Sequence, residues 1–466
     1  MTRRLLQGGL VVTMAGGEDG PADILVENGR IAAIGRGLGI TDAEVVDLSG
    51  HLVLPGFVDT HRHCWQTGIR GVAADWSLHE YVRHIRMGYA RRYRPRDVHA
   101  SILVGLLEAL DSGITTVADF CHIMNSPDHA DAAVAAMTAA GVRTQLYYGF
   151  YDVPLAHPAF TGHGDRIRDA ERVVSRFAGT PGTGGLGVAL TEAKLVTPDQ
   201  TRAEIEFARA HGIPITAHMG TLSTPDGVDQ LGKAGLLGPD ILHVHCNFTS
   251  DAELLMIRES GGAVCCTPET ELQMGMGFPI LDRLLKIGMA PALGIDIVSD
   301  YAGDMFTQMR MALQVERALR NEPTLRSGKM PATISPGVRD ALAFATVNGA
   351  RALRREHEIG ALEVGRQADI IAIGTDGLNF MPPAAPVPSI VLQARPGDVD
   401  FVMVDGRIVK RDGRLLGHDL NRLRAEILET QAHLETPSEE DAAGGATVQA
   451  YASAIDQIVV EGTASG

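Results

Sequence analysis

From Leu52 onward, short apolar runs alternate with amphipathic stretches. The runs are "LVLPGFVDTHRH", "ITTVADF", "RTQLYYGFY", "GLGVALTE", "IPITAHM", "DILHVHC", "AVCCTPE" and "APALGID". Each is short enough for one buried strand. The segments between them have helix spacing and helix punctuation. In "TPDQTRAEIEFARAHG", Thr197 is placed to cap, Pro198 takes the first helical position and Gly212 stops the helix. In "SDAELLMIRESGG", Ser250 and Glu253 have capping-box spacing and Gly261-Gly262 end the segment. Strand-helix units repeated eight times predict a (β/α)8 TIM barrel. A doubly wound open sheet competes, but no Gly-rich phosphate loop follows the first run.

The pattern differs at both ends of the chain. "ADILVENGRIAAIG" reads as two strands around an Asn28-Gly29 turn. "VDFVMVDGRIVKRDGRLL" repeats that design with turns at Asp405-Gly406 and Asp412-Gly413. The expected organisation is a small β-sandwich domain formed from both termini, residues 1–55 plus 364–416. The barrel occupies 56–363, and a C-terminal helix and tail occupy 417–466. In the tail, "SEEDAAGGAT" reads as a flexible connector and "VQAYASAIDQIVVEG" as a last segment that either docks on a neighbour or packs.

Composition narrows the class. The 466 residues are 45% hydrophobic, enough to bury a large core. A formal net charge of −16 argues against a nucleic-acid partner. No apolar run reaches membrane-spanning length, so no membrane partner is expected. The five cysteines are odd in number and scattered, which fits a reduced cytoplasmic protein. "MTRRLLQGG" carries Arg3-Arg4 without the apolar stretch of an export signal.

The candidate chemistry lies at the ends of the apolar runs, where a barrel builds its active site. The first run ends with His61 and His63, which share one face while Arg62 takes the other. The fifth ends with His218, the sixth with His243 and His245, and the eighth with Asp296. Imidazoles with one carboxylate suit a borderline divalent ion: zinc, iron, manganese or cobalt. A structural zinc site would be closed and would favour cysteine.

These motifs, "PGFVDTHRH", the lone His of the fifth run, "HC" and "GID", together resemble the amidohydrolase superfamily. "NGRIAAIG" and "GALEVGRQADIIAI" extend the resemblance over nearly the whole chain. "GVAADWSLHEYV" resembles the branch of methylthioadenosine, cytosine and guanine deaminases and triazine hydrolases. The resemblance implies His61, His63, His218 and Asp296 as ligands of one divalent metal ion per chain, zinc above the others. It places His245 beside the water on that metal. Such an ion lowers the pKa of its water from about 16 toward about 7. Asp296 would then shuttle the proton to a leaving nitrogen, and His245 would stabilise the tetrahedral oxyanion. The expected activity is metal-dependent hydrolysis of a non-peptide C–N bond in a small molecule.

Two departures bear on the substrate. Deaminases of this branch carry a ring-protonating Glu three residues after the fifth-strand His; here that residue is Thr221. "GVALTEAKLVTP" lacks the branch's fourth-strand His, and its Lys194 falls past the strand end, where a surface lysine is expected rather than a bridge between two metals. The seventh run offers Glu269 and Glu271 as substrate contacts and as replacement acids for deamination of a nitrogen heterocycle. Gln66, Trp65 and His122 are further candidate pocket residues, and Cys64 is expected to pack away from the His61–His63 face. The alternatives to simple C–N hydrolysis are that deamination, triazine-type dechlorination, or a noncatalytic metal-binding barrel. The helix near 420–434 suggests a homo-oligomer, a dimer or tetramer.

Overall fold

The computed structural model describes residues 3–437 except 154, 156, 178–183, 194 and 222–223. Lys194, "SEEDAAGGAT" and the last segment therefore lie outside the described residues. Five strands precede the barrel: β1 (Arg3–Val11), β2 (Gly20–Glu27), β3 (Arg30–Gly35), β4 (Glu44–Asp47) and β5 (His51–Pro55). Eight then form the barrel: β6 (Phe57–Arg62), β7 (Ile114–Cys121), β8 (Arg143–Gly149), β9 (Gly184–Ala189), β10 (Ile215–Met219), β11 (Ile241–His245), β12 (Ala263–Cys266) and β13 (Ala292–Leu293). Four more follow it: β14 (Ile370–Gly374), β15 (Val399–Val404), β16 (Arg407–Arg411) and β17 (Arg414–Leu415).

Strands β6 to β13 pair in sequential, parallel order. They are joined by helices such as Pro95–Asp111, Pro127–Ala140, Pro198–His211 and Asp251–Ser260. The β6 and β7 side chains are buried throughout, as expected of strands covered on both faces. The fold is a TIM barrel with a separate, mainly antiparallel sheet assembled from the two ends of the chain. In that sheet β14 pairs with β5, which brings residues from either side of the barrel segment into one layer.

Local chemistry accounts for the element boundaries. Thr197 and Ser250 form the capping boxes with Gln200 and Glu253, and both helices end on a left-handed glycine, Gly212 and Gly261. Asn28-Gly29, Asp405-Gly406 and Asp412-Gly413 all have positive φ at both residues, the backbone of tight hairpin turns. At the barrel's interior, Leu353 packs against clusters containing Val58, Phe120 and Leu242.

The C-terminal helix runs from Leu420 to Glu435 and packs back on this chain. Leu434 is buried, and Thr430 Oγ1 donates to Asp97 Oδ1 at 3.1 Å. Leu420 and Leu428 remain on its exposed face. No helix among the described residues is long and apolar enough to cross a membrane. All five cysteines are buried and unpaired.

A buried ion pair fastens the terminal sheet to the barrel. Arg143, on β8, meets Asp369 Oδ2 at 2.9 Å and Gln367 Oε1 at 2.8 Å. Asp369 Oδ1 also accepts the backbone N–H of Asp405. Arg143→Met would leave this carboxylate buried without its cation. The unfolding free energy should fall by about 3–5 kcal/mol, seen as a lower urea midpoint; an unchanged midpoint would contradict this role for the pair.

Candidate active site

The barrel closes at its C-terminal mouth through backbone bonds between the segments that follow its first and last strands. The Asp296 N–H donates to the His61 carbonyl and the His63 N–H donates to the Asp296 carbonyl, both at 2.8 Å. One residue earlier, Ile295 N–H donates to the buried Asp59 carboxylate at 2.9 Å. The approach is tight: a Cβ on Gly294 would stand 2.8 Å from His61 Cβ, so only glycine fits. Asp296 has φ of 72° and His245 of 70°, a left-handed backbone that bends each chain out of its strand. Non-glycine residues hold that conformation at a cost of about 1–3 kcal/mol when their surroundings fix it, as at many functional sites.

Five side chains meet in one region. His61 Nε2 and His63 Nε2 each lie 3.3 Å from Asp296 Oδ1. His218 Nε2 lies 3.4 Å from His61 Nε2, and His245 Nε2 lies 3.8 Å from Asp296 Oδ2. All five residues are at least nine-tenths buried. Arg62 takes the opposite face and reaches Glu108 on the helix Pro95–Asp111. His243 packs against Gly262 and stays out of the cluster.

The outer nitrogens determine what the inner ones present. His63 Nδ1 donates to the Phe120 carbonyl at 2.7 Å, because a carbonyl can only accept. His218 Nδ1 lies 3.2 Å from Glu192 Oε1, and His245 Nδ1 lies 3.0 Å from Thr267 Oγ1 with Glu271 behind it. Burial pushes His61 down to about 4, against the pull of Asp296, and pushes His63 well below the usual imidazole value. Burial would raise Asp296, but the surrounding imidazoles hold it far below the usual carboxylate range. Burial likewise works on Glu192 and is overcome by Arg86 and His218, so that carboxylate stays ionised. Neutral His63 therefore turns a lone pair toward an ionised carboxylate, and His218 turns one toward another imidazole. The first of these contacts sets acceptor against acceptor and fits a cation between them. The groups His61–His63–Asp296 and His61–His218–His245 each place their ligand atoms within 4.8 Å of one another. His63–His122–His218 forms a third such group, and imidazole nitrogens with a carboxylate oxygen are the donor types that zinc and its borderline neighbours prefer.

A cleft opens above this cluster. It is lined by His63, His218, His245 and Asp296, by Arg86, Glu192 and Thr221, and by apolar side chains such as Leu78, Met87, Met274 and Met276. The other sequence candidates surround it without joining its lining. Gln66 donates to the Tyr81 hydroxyl and accepts from Ser299, both at 2.6 Å. Trp65 packs edge-on against Tyr93. His122 lies 4.4 Å from the His63 ring with neither ring nitrogen hydrogen-bonded. Glu271 accepts the Thr267 N–H at 2.9 Å and backs His245. Glu269 pairs with Gln308 at 3.2 Å, and burial, with Asp304 and Asp300 beside it, pushes its carboxyl up to about 8. Cys64 is buried and its N–H donates to Asp119.

Sequence reasoning missed Glu192 and Arg86. Glu192 stands where the fourth apolar run ends, in "GVALTE", the same polarity signal that exposed the histidines. Arg86 comes from the loop after the first strand and carries no such signal.

The amidohydrolase family model matches residues 52–409, more than half of the chain. A 5-methylthioadenosine/S-adenosylhomocysteine deaminase of Symbiobacterium thermophilum is 30% identical over 455 residues, covering 93% of this chain and 99% of the relative. A 5'-deoxyadenosine deaminase of Methanothermobacter thermautotrophicus is 28% identical, covering 84% and 90%. In fold, the chain is similar to a zinc-bound adenosine deaminase from Xanthomonas campestris, with a TM-score of 0.80, 23% identity and coverage of 94% and 99%. It is equally similar to a zinc-complexed atrazine chlorohydrolase from Arthrobacter aurescens, with a TM-score of 0.80, 21% identity and coverage of 92% and 100%. The strand-end motifs, the family match and the relatives all point the same way: the chain belongs to the amidohydrolase family and is a hydrolase acting on carbon–nitrogen bonds.

Proposed function

We propose that the protein is a mononuclear metal-dependent hydrolase that opens a non-peptide C–N bond of a small molecule with water. The observation that carries this reading is the His63 lone pair facing the ionised Asp296 carboxylate at 3.3 Å, with His61, His218 and His245 gathered around them at the mouth of the barrel. His61, His63, His218 and Asp296 would hold the ion. When bound, a divalent ion supplies Lewis acidity and activates water at neutral pH. Asp296 takes the proton of the attacking water and passes it to the leaving nitrogen. His245, held at Nδ1 by Thr267 and Glu271, directs Nε2 at the oxygen that gains charge in the tetrahedral intermediate. The methionine- and leucine-lined wall holds the apolar part of the substrate.

A second reading, deamination of a nitrogen heterocycle, is favoured by the names of the relatives and by Glu269. Its carboxyl, pushed up to about 8, keeps its proton at neutral pH and so has the protonation state of a general acid.

Four outcomes follow. Elemental analysis should give about one equivalent of divalent metal per chain; two stoichiometric equivalents would overturn mononuclear binding. Asp296→Asn, loaded with metal, should lose at least about 10³-fold in turnover, and near-native turnover would remove its role as shuttle. Turnover is to be sought by ammonia or amine release from ureas, carbamates, hydantoins, heterocyclic amines and adenosine derivatives. On the first substrate found, Thr221→Ala should cost less than about tenfold, because a neutral hydrogen bond contributes only about 1 kcal/mol. Small losses in Glu269→Gln and Glu271→Gln support the one-acid hydrolase; a loss of about 10²–10⁴-fold in either, with ammonia as product, supports the deaminase. We also propose a homo-oligomer in the cytoplasm, which light scattering at the monomer mass would contradict.

A further inference from the structure

Glu192 sits just past the end of β9, buried, between two partners that have no other reason to meet. On one side its Oε1 accepts the Nδ1–H of His218 at 3.2 Å. On the other, Oε1 and Oε2 face Nη1 and Nη2 of Arg86 at 3.1 and 3.5 Å. The Arg86 guanidinium lies over the Tyr151 ring, 4.3 Å from its centroid. The Tyr151 hydroxyl donates to the Leu190 carbonyl at 3.1 Å, on the same segment that carries Glu192. Arg86 ends the short helical turn Val82–Arg86, and with Tyr81, Val82 and Met87 it lines the cleft.

We propose that Glu192 is a positioning residue that serves both halves of the site: it fixes the tautomer and angle of His218 and anchors the Arg86 wall of the cleft. The assignment rests on the metal reading of His218 given above. The physical need is specific. A ligating imidazole holds its metal well only when its far nitrogen is bonded to an acceptor, and loss of that partner commonly costs 10–100-fold in metal affinity. His218 has no carbonyl at Nδ1 of the kind that His63 finds in Phe120; the Glu192 carboxylate fills that place. The same charge is what allows a guanidinium to be buried beside the metal-binding imidazoles, since an unpaired buried cation is strongly destabilising.

The test uses zinc affinity, measured by chelator competition on the full chain, with the visible spectrum of the cobalt-loaded protein as a second readout. Neither depends on the substrate. Glu192→Ala should lose about 10–100-fold in zinc affinity and alter the cobalt spectrum. Glu192→Gln retains an acceptor oxygen for His218 and should recover affinity to within about threefold of the native chain. Arg86→Gln, which leaves the His218 contact in place, should bind zinc within about threefold of native. Removal of a single buried charge can itself unfold the chain, so the double variant Arg86→Met with Glu192→Met replaces the pair with apolar side chains of similar length. It should fold and still show the loss of zinc affinity. Native affinity in Glu192→Ala or in the double variant overturns the assignment. An equal loss in Arg86→Gln overturns it as well, because the effect would then be general loosening. A native chain that binds no zinc at all removes instead the metal reading beneath it, a result distinct from native affinity in the variants.

Discussion

The site depends on one backbone exchange. Asp296 gives its N–H to His61 and receives the N–H of His63, and this pair of bonds sews the end of the barrel to its beginning. The same bonds set His61, His63 and Asp296 beside each other, so the pairing that closes the barrel also assembles this part of the cluster. The left-handed backbone of Asp296 is held by that pairing, and Gly294 allows the close approach that makes it possible. A chain that slipped this seam by one residue would turn Asp296 away from the imidazoles.

The second constraint acts from outside the cluster. A carbonyl, a carboxylate and a hydroxyl backed by a carboxylate each take one outer imidazole nitrogen: Phe120 for His63, Glu192 for His218 and Thr267 with Glu271 for His245. Each contact directs a lone pair or a donor inward. Burial keeps His61 and His63 neutral, Glu271 and Asp296 pull His245 the other way, and the surrounding imidazoles keep Asp296 ionised; the resulting set of nitrogen and carboxylate donors is what a divalent cation requires.

What was legible in the sequence was what local rules control. Thr197, Ser250, Gly212 and Gly261 mark helix ends because caps are satisfied within a few residues. Asn28-Gly29 marks a hairpin because its φ values are a local matter. The histidines stand out because a polar residue is conspicuous at the end of an apolar run. The partners of those residues were not legible. Nothing local announces the bonds of Gln66 to Tyr81 and Ser299, because both contacts come from chain folding. Glu192 stands at a strand end where the family resemblance leads to the expectation of a histidine, and its pairing with Arg86 spans 106 residues. Strand β13 keeps only two residues in regular pairing, so the eighth run was recognisable from its apolar character and from Asp296, and not from its length.

Whether three imidazoles and one carboxylate hold a single ion can be read by X-ray absorption at the zinc edge of the loaded protein. The account predicts a first shell of nitrogen and oxygen only, at about 2.0–2.2 Å, with the outer-shell scattering of imidazole rings. A sulfur shell at about 2.3 Å, which the nearby cysteines would supply, or metal–metal scattering at about 3.5–4 Å would contradict it.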